Sequence, residues 1–258
     1  MKQQSLYERY EGLILGGGAV VLVLAVWEFI WDKQWVSPLF FSGPSAIAKE
    51  LWYQLTEGTF RNDILFSGKN FILGLSAATV SGVVLGIIIG WYRKIRLIFD
   101  PFLNALYATP RLAMMPLIII WFGLGWEAKV FIVFMSAFFP ILVNTVGGMR
   151  ALDPDLLRAA RAFCASDWQI FKTVAIPGSV PFILTGIRQG VALGLIGVVV
   201  GEMFGGTEGV GFQVAFGGQT FHTDTVFAGV FLIAGAGMLL TFLTARLERR
   251  FSRWRPER

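Results

Sequence analysis

The sequence has a single cysteine, Cys164, and a single histidine, His222. One cysteine excludes an internal disulfide, and one histidine leaves no His-based metal or triad site. Charge is scarce too: Asp, Glu, Lys and Arg make up 15% of the chain, against roughly 25% in an ordinary soluble domain. No Gly-x4-Gly-Lys-Ser/Thr motif occurs, so a nucleotide has no phosphate loop to bind. The net charge of +5 and a pI near 9.6 would suit a nucleic-acid partner, but no basic and aromatic surface motif supports one.

Apolar residues are abundant instead. They make up 55% of the 258 positions, with 30 glycines and 24 phenylalanines. Glycine is common where membrane helices pack closely, and the composition indicates an all-α, polytopic membrane protein in one transmembrane domain, 1–258. Six apolar runs mark the spans, at about 12–30, 71–91, 101–125, 130–146, 180–200 and 226–245. The first has no small-residue cleavage site close behind it and is expected to stay as an anchor. Glu28 near its end either snorkels to the interface or faces a partner helix. Trp27, Trp31 and Trp35 read as an interfacial belt. Between the first two spans, Ile47, Leu51 and Leu55 form one face of a surface helix. The second span carries Gly74, Gly82, Gly86 and Gly90. In the third, Pro110 and Pro116 predict a broken or late-starting helix, which membranes tolerate where neighbours satisfy the freed backbone. Gly125–Lys129 is expected to be a tight turn, and Gly201–Thr225 a polar, glycine-rich loop.

The stretch from Asp153 to Pro181 lies between the fourth and fifth runs. Asp153 is a natural N-cap, with Pro154 at the first helical position. Leu156, Leu157, Ala160 and Phe163 share one helical face, with Arg158 and Arg161 off it. Ser166 and Gln169 have capping-box spacing ahead of Trp168. Pro177 is expected to end that pattern, and Pro181 to open the next segment. The result is two short amphipathic helices joined near Cys164, too short to be stable without a surface to pack on.

The basic residues fix an orientation. With six spans and both termini cytoplasmic, fifteen of the twenty-two Lys and Arg residues fall on the cytoplasmic side and four on the other, a strong positive-inside bias. That orientation places the 150–177 loop in the cytoplasm and accounts for the basic pI.

These residues carry a resemblance. The loop is similar to the cytoplasmic coupling loop of permease subunits in bacterial ABC importers. The family's pattern is Glu-Ala-Ala, three residues, Gly, nine residues, Ile-x-Leu-Pro. Arg158-Ala159-Ala160, Cys164 and Val174-Ala175-Ile176-Pro177 match its spacing, with Arg for Glu and Cys for Gly. A left-handed turn at Cys164 would strain its side chain by roughly 1 kcal/mol. Most of the chain resembles the branch carrying nitrate, taurine and aliphatic sulfonates. Ser67 and Gly74, Pro110 and Pro116, Trp121-Phe122-Gly123, Gly125, Phe139-Pro140, Asn144-Thr145, Gly148, Pro181, Gly186, Arg188, Glu202, Gly209 and Gly211 match it. Asn70 stands where that branch usually has Arg.

The resemblance implies the type I ABC importer permease fold in a bacterial inner membrane. It also implies an assembly with two ATPase subunits, a second permease copy and an external solute-binding protein, with ATP and Mg held by the ATPase and no cofactor by this chain. ATPase coupling would fall to Leu157, Arg158, Ala159, Ala160, Arg161, Phe163, Cys164, Ala165, Ser166, Trp168 and Pro177.

Polar groups within membrane spans are functional candidates by default. Here they are Lys69, Asn70, Arg111, Asn144, Arg188, Gln189 and Glu202. Asn70, Met114, Met115, Trp121, Asn144, Arg188, Gln189 and Glu202 are the candidates for the translocation path. Each has a structural alternative: Lys69 and Glu202 at the interface, Asn144 bonding a neighbouring helix, Arg188 pairing with Glu202 or snorkelling, and the Met and Trp residues as packing. An ATPase-independent transporter or channel is the rival function. An intramembrane enzyme is disfavoured, because His222 near Asp224 has no cysteine on its side of the membrane.

Overall fold

A computed structural model describes residues 6–251. The outermost parts of the polar head and basic tail, 1–5 and 252–258, lie outside the described residues. Apolar sequence becomes helix almost throughout: α1 (Leu6–Asp32), α2 (Pro44–Thr56), α3 (Phe60–Trp91), α4 (Arg93–Ala108), α5 (Met115–Phe122), α6 (Trp126–Arg150), α7 (Pro154–Ala162), α8 (Asp167–Ile170), α9 (Ile176–Gly205), α10 (Val210–Gln219) and α11 (Thr223–Phe251). Five of these stretches are long and apolar enough to cross a membrane, and α4 with α5 makes a sixth span bent by 81°.

The chain forms two compact units. One contains the residues up to Arg61 with Gln213–Phe231, the other Asn62–Phe212 with the residues from Leu232 on. In the first, Trp27 is half-buried among aromatic neighbours. Its ring lies 5.8 Å from that of Phe227 and 6.1 Å from that of Phe41, and its Nε1 donates to Ser42 O at 2.8 Å. Glu28 faces another helix, the second of its two expected positions. The N-cap of α2 is Gly43, which has no side chain to cap with. The Glu28 carboxylate accepts the Ser45 N–H instead, at 2.9 Å, placing negative charge at the positive end of that helix.

The second unit is built around α6. Glycines of α3 lie along one side of it. A Cβ on Gly74 would meet Val133, one on Gly82 Ile141, one on Gly86 Thr145 and one on Gly90 Met149. Both sets of numbers rise together, so α3 and α6 run parallel. Glycines of α9 lie along another side with the order reversed: Gly186 faces Asn144, Gly190 faces Ile141, Gly197 faces Ser136 and Gly201 faces Ile132. Lipid tails are as apolar as Leu, so close backbone approach and dispersion must hold membrane helices together. The α3 row was legible as a glycine-rich span; the α9 row emerges only with the fold. Ile132, Val133, Ala137, Ile141 and Leu142 of α6 are buried as a result.

Three expectations are corrected. Gly125–Lys129 is not a turn, since Gly123 (φ +75°) ends α5, Gly125 caps α6, and Lys129 lies inside that helix. Gly201–Thr225 is not a loop throughout. α9 continues to Gly205 and α10 fills much of the rest, because these glycines face neighbours rather than loosen the chain. Pro177 does not end the helical run. A π turn at Phe171–Ala175 leads from α8 into α9, with Pro177 in its first turn and Pro181 inside it. Widening the backbone just ahead of Pro177 accommodates a ring that would otherwise clash with a carbonyl one turn back. The interruption expected in the third span is present. It falls at Thr109–Pro110, followed by a 3-10 turn at Arg111–Met114.

A bulkier residue on the inner row should separate these helices. A Cβ on Gly190 would lie 2.9 Å from Ile141 Cδ1 and 3.2 Å from Ala137 O. Gly190→Val is therefore expected to destabilise the purified protein by about 1–3 kcal/mol, read as a lower unfolding midpoint in detergent. Gly235→Val, where nothing lies within 4 Å, should leave the midpoint unchanged.

Candidate functional site

The loop between α6 and α9 forms as its sequence dictates. Asp153 Oδ1 accepts the Asp155 N–H at 2.8 Å, and Pro154 starts α7. At the other end the Ala165 N–H reaches Ala160 O (3.1 Å) and the Cys164 N–H reaches Arg161 O (2.9 Å). These two bonds, with Cys164 at φ +57°, form a Schellman motif with cysteine where glycine is usual. The box at Ser166 closes both ways: its N–H reaches Gln169 Oε1 at 2.7 Å, and its Oγ accepts the Gln169 N–H at 3.3 Å. Arg158 pairs with Asp155 in the open, an ion pair that contributes little.

The loop leaves large apolar side chains uncovered. Phe163 is 87% exposed, Trp168 68% and Leu156 53%, while Leu157, Ala160 and Ala165 are half-buried and Arg158, Ala159, Arg161 and Ser166 exposed. Clustered exposed apolar groups of this size mark interaction surfaces. The loop is also tied to the helices behind it. Phe171, in the π turn, stacks on Trp168 with centroids 5.5 Å apart and meets Trp91 edge-on at 5.1 Å. Trp91 is the last residue of α3 and Ile170 is buried. Displacement of α8 would therefore reach α9 through continuous helix, and α3 through the Phe171 ring.

The candidates for the path do not form one cluster. Asn144 Nδ2 donates to Pro140 O (2.8 Å) and to Gln189 Oε1 (3.0 Å), so Asn144 and Gln189 meet. Arg188 does not pair with Glu202. The two residues lie fourteen positions apart on α9, about 21 Å along the axis. Arg188 instead bonds Glu248 Oε2 at 3.1 Å, and Thr185 Oγ1 donates to the same carboxylate. Glu202 is buried at the other end of α9, where its Oε2 accepts from Ser67 Oγ and from the Gly211 N–H, each at 2.9 Å. With Asp63 Oδ1 on the Gly209 N–H (2.7 Å) and Ser67 Oγ on the Val210 N–H (3.0 Å), it holds the start of α10. Gly209 has φ +107°, and a Cβ there would strike the Glu202 carboxylate, so this join requires glycine. Met115 is buried with Ile118, Ala128 and Ile132, whereas Trp121 is exposed and Met114 half-buried. Asn70 is fully buried and neither side-chain atom has a partner.

Sequence reasoning missed Lys129. It is 3% exposed, and its ammonium donates to Leu124 O and, at 2.8 Å, to Gly205 O. A cation thus binds carbonyls at the ends of α5 and α9, where helix dipoles favour it. The sequence signal was an ammonium just after two glycines, Gly123 that ends α5 and Gly125 that caps α6.

Six apolar spans, a kinked third span and an exposed apolar two-helix loop describe the membrane-spanning subunit of a transport system. The family model for the "binding-protein-dependent transport system inner membrane component" matches residues 82–253. The taurine transport system permease protein of Escherichia coli is 32% identical over 245 residues, covering 93% of this chain and 89% of that one. A putative aliphatic sulfonates transport permease protein of Bacillus subtilis is 31% identical over 249 residues, covering 96% and 89%. A solved methionine ABC transporter in inward-facing conformations shares the fold, with a TM-score of 0.66 at 16% identity, over 74% of this chain and 95% of that one. The chain belongs to the binding-protein-dependent transport system inner membrane components, the permease subunits of ABC importers.

The left-handed cysteine gives a stability prediction. Cys164→Gly should relieve about 1 kcal/mol of backbone strain, raising the unfolding midpoint by roughly 2 °C. Cys164→Val should lower it.

Proposed function

We propose that this permease carries a small organic anion of the taurine and aliphatic sulfonate class inward, driven by ATPase subunits that dock on the loop from Asp153 to Pro177. One observation carries the docking assignment: Phe163, Trp168 and Leu156 are exposed on a loop whose ends are firmly capped. A capped, rigid apolar surface is suited to being held by a partner. The substrate class is supported by likeness to the taurine and sulfonate permeases. The positive-inside bias supports cytoplasmic termini and a cytoplasmic loop. We assign ATP and Mg to the ATPase chains, solute delivery to an external binding protein, and the second half of the pathway to another copy of this chain.

The mechanism follows from the connections of the loop. Nucleotide-driven closure of the ATPases moves α7 and α8. The π turn passes that motion into α9, and Phe171 passes it to α3 through Trp91. Because α3 and α9 both lie on α6 through glycine contacts, they shift against it as rigid bodies and open the pathway to the outer side.

Phe163→Glu puts a charge on the docking face at a site with almost no contacts to lose. ATPase co-purification and transport should fall at least tenfold, with the permease's own unfolding midpoint unchanged. Normal assembly and transport would refute docking on this face. The native cysteine offers a second check, since Cys164 is exposed. A maleimide should label the isolated permease and be blocked in the assembled complex; equal labelling in both would place the ATPase elsewhere.

A further inference from the structure

The kink between α4 and α5 holds a guanidinium unlike the other membrane cations. Arg111 lies in the 3-10 turn after Pro110, with its Cζ 5.5 Å from the Tyr107 ring centroid and 5.4 Å from that of Phe139. Two aromatic faces hold the cation in place, but aromatic rings accept no ordinary hydrogen bond along the guanidinium edge. Nη1 is buried and has no acceptor. A buried charged donor left unpaired is costly unless something fills the vacancy. The other cations are already engaged: Arg188 with Glu248, Lys129 with two carbonyls, and Lys69 near the Trp126 ring at 6.0 Å.

Arg111 lines a cavity of about 260 Å³ with Thr109, Pro110, Ser136, Leu193 and Ile196. That is small beside the roughly 300–1,000 Å³ of drug-sized ligand pockets. The wall combines one guanidinium, the Ser136 hydroxyl and the apolar side chains of Leu193 and Ile196. An anionic head with a short aliphatic body matches this division. The planar fork suits a sulfonate or carboxylate, which offers two oxygens to parallel N–H groups.

We propose that Arg111 receives the anionic head of the transported solute in this cavity, as a binding station along the pathway. The proposal rests on the small-anion reading above. It places the station at the bend of the third span, where irregular backbone lines a cavity, as broken membrane helices do at transport sites.

The test is uptake of radiolabelled taurine by the complete complex of permease, ATPase and binding protein in phosphatidylcholine vesicles. Arg111→Gln should lower uptake at least fivefold, while ATPase co-purification stays within twofold of wild type. Arg111→Lys, which keeps the charge and loses the fork, should fall between the two. A smaller fall in Arg111→Gln overturns the site. If Arg111→Gln fails to assemble, Ile196→Trp decides: it fills the cavity from a half-exposed position, and uptake that persists overturns the proposal. A defect seen only when anionic lipid is added assigns the guanidinium to a headgroup and overturns the solute site. A wild-type complex that assembles and moves no taurine refutes the substrate class, and this station with it, but leaves ATPase docking standing.

Discussion

Close approach of α3 and α9 to α6 is the constraint on which the rest depends. In water a helix buries its apolar face because water excludes it; in a bilayer that drive is absent and packing must replace it. Two rows of glycine supply the packing, one per neighbour, and each substitutes backbone contact for a side chain. The same contacts explain why α6 tolerates Pro140 well inside it. Neighbours on both sides hold the backbone where a hydrogen bond is missing, since Pro140 has no N–H to offer the Ser136 carbonyl one turn back.

Polar groups divide along the same line. At the α10 end of α9, Glu202, Ser67 and Asp63 accept from or donate to each other and the backbone, fixing where α10 begins. Lys129 draws together the ends of α5 and α9. Arg188 and Thr185 share Glu248 of α11. These pairings are structural clasps: each sets a charge beside a partner, and the one buried oxygen among them without a partner is Glu202 Oε1. Intramembrane charge alone therefore does not identify a pathway; an unsatisfied one is the more informative observation.

Much of this was legible in the sequence, and the reason is locality. The caps at Asp153 and Ser166 and the break near Pro110 depend on residues within one helical turn, so spacing alone predicts them; the left-handed residue at Cys164 is suggested only by the glycine that the family pattern has there. What was not legible depends on distance. Arg188 was read as pairing with Glu202 or snorkelling, yet its partner Glu248 stands 60 positions on. The glycines after Gly201 resembled a flexible loop, because nothing local shows that Gly209 must admit the Glu202 carboxylate. Pro177 looked like a stop, since a π turn leaves no recognisable pattern in composition.

That π turn also joins the loop to the bundle. A proline-broken connection between α8 and α9 would act as a hinge and absorb displacement locally. A continuous, widened turn keeps the two helices coaxial enough to transmit it, and the Phe171 ring adds a second contact through Trp91 to α3. The loop thus has two routes into the bundle, and both end on helices that carry a glycine row against α6. Motion delivered to α8 has no soft element to dissipate in before it reaches α6. Irregular backbone lies elsewhere, at the 81° bend between α4 and α5, beside the cavity lined by Thr109, Pro110 and Arg111. If ATPases dock on this loop as proposed, stiff connections on that side and an irregular bend beside the cavity would convert an end displacement into a change in access.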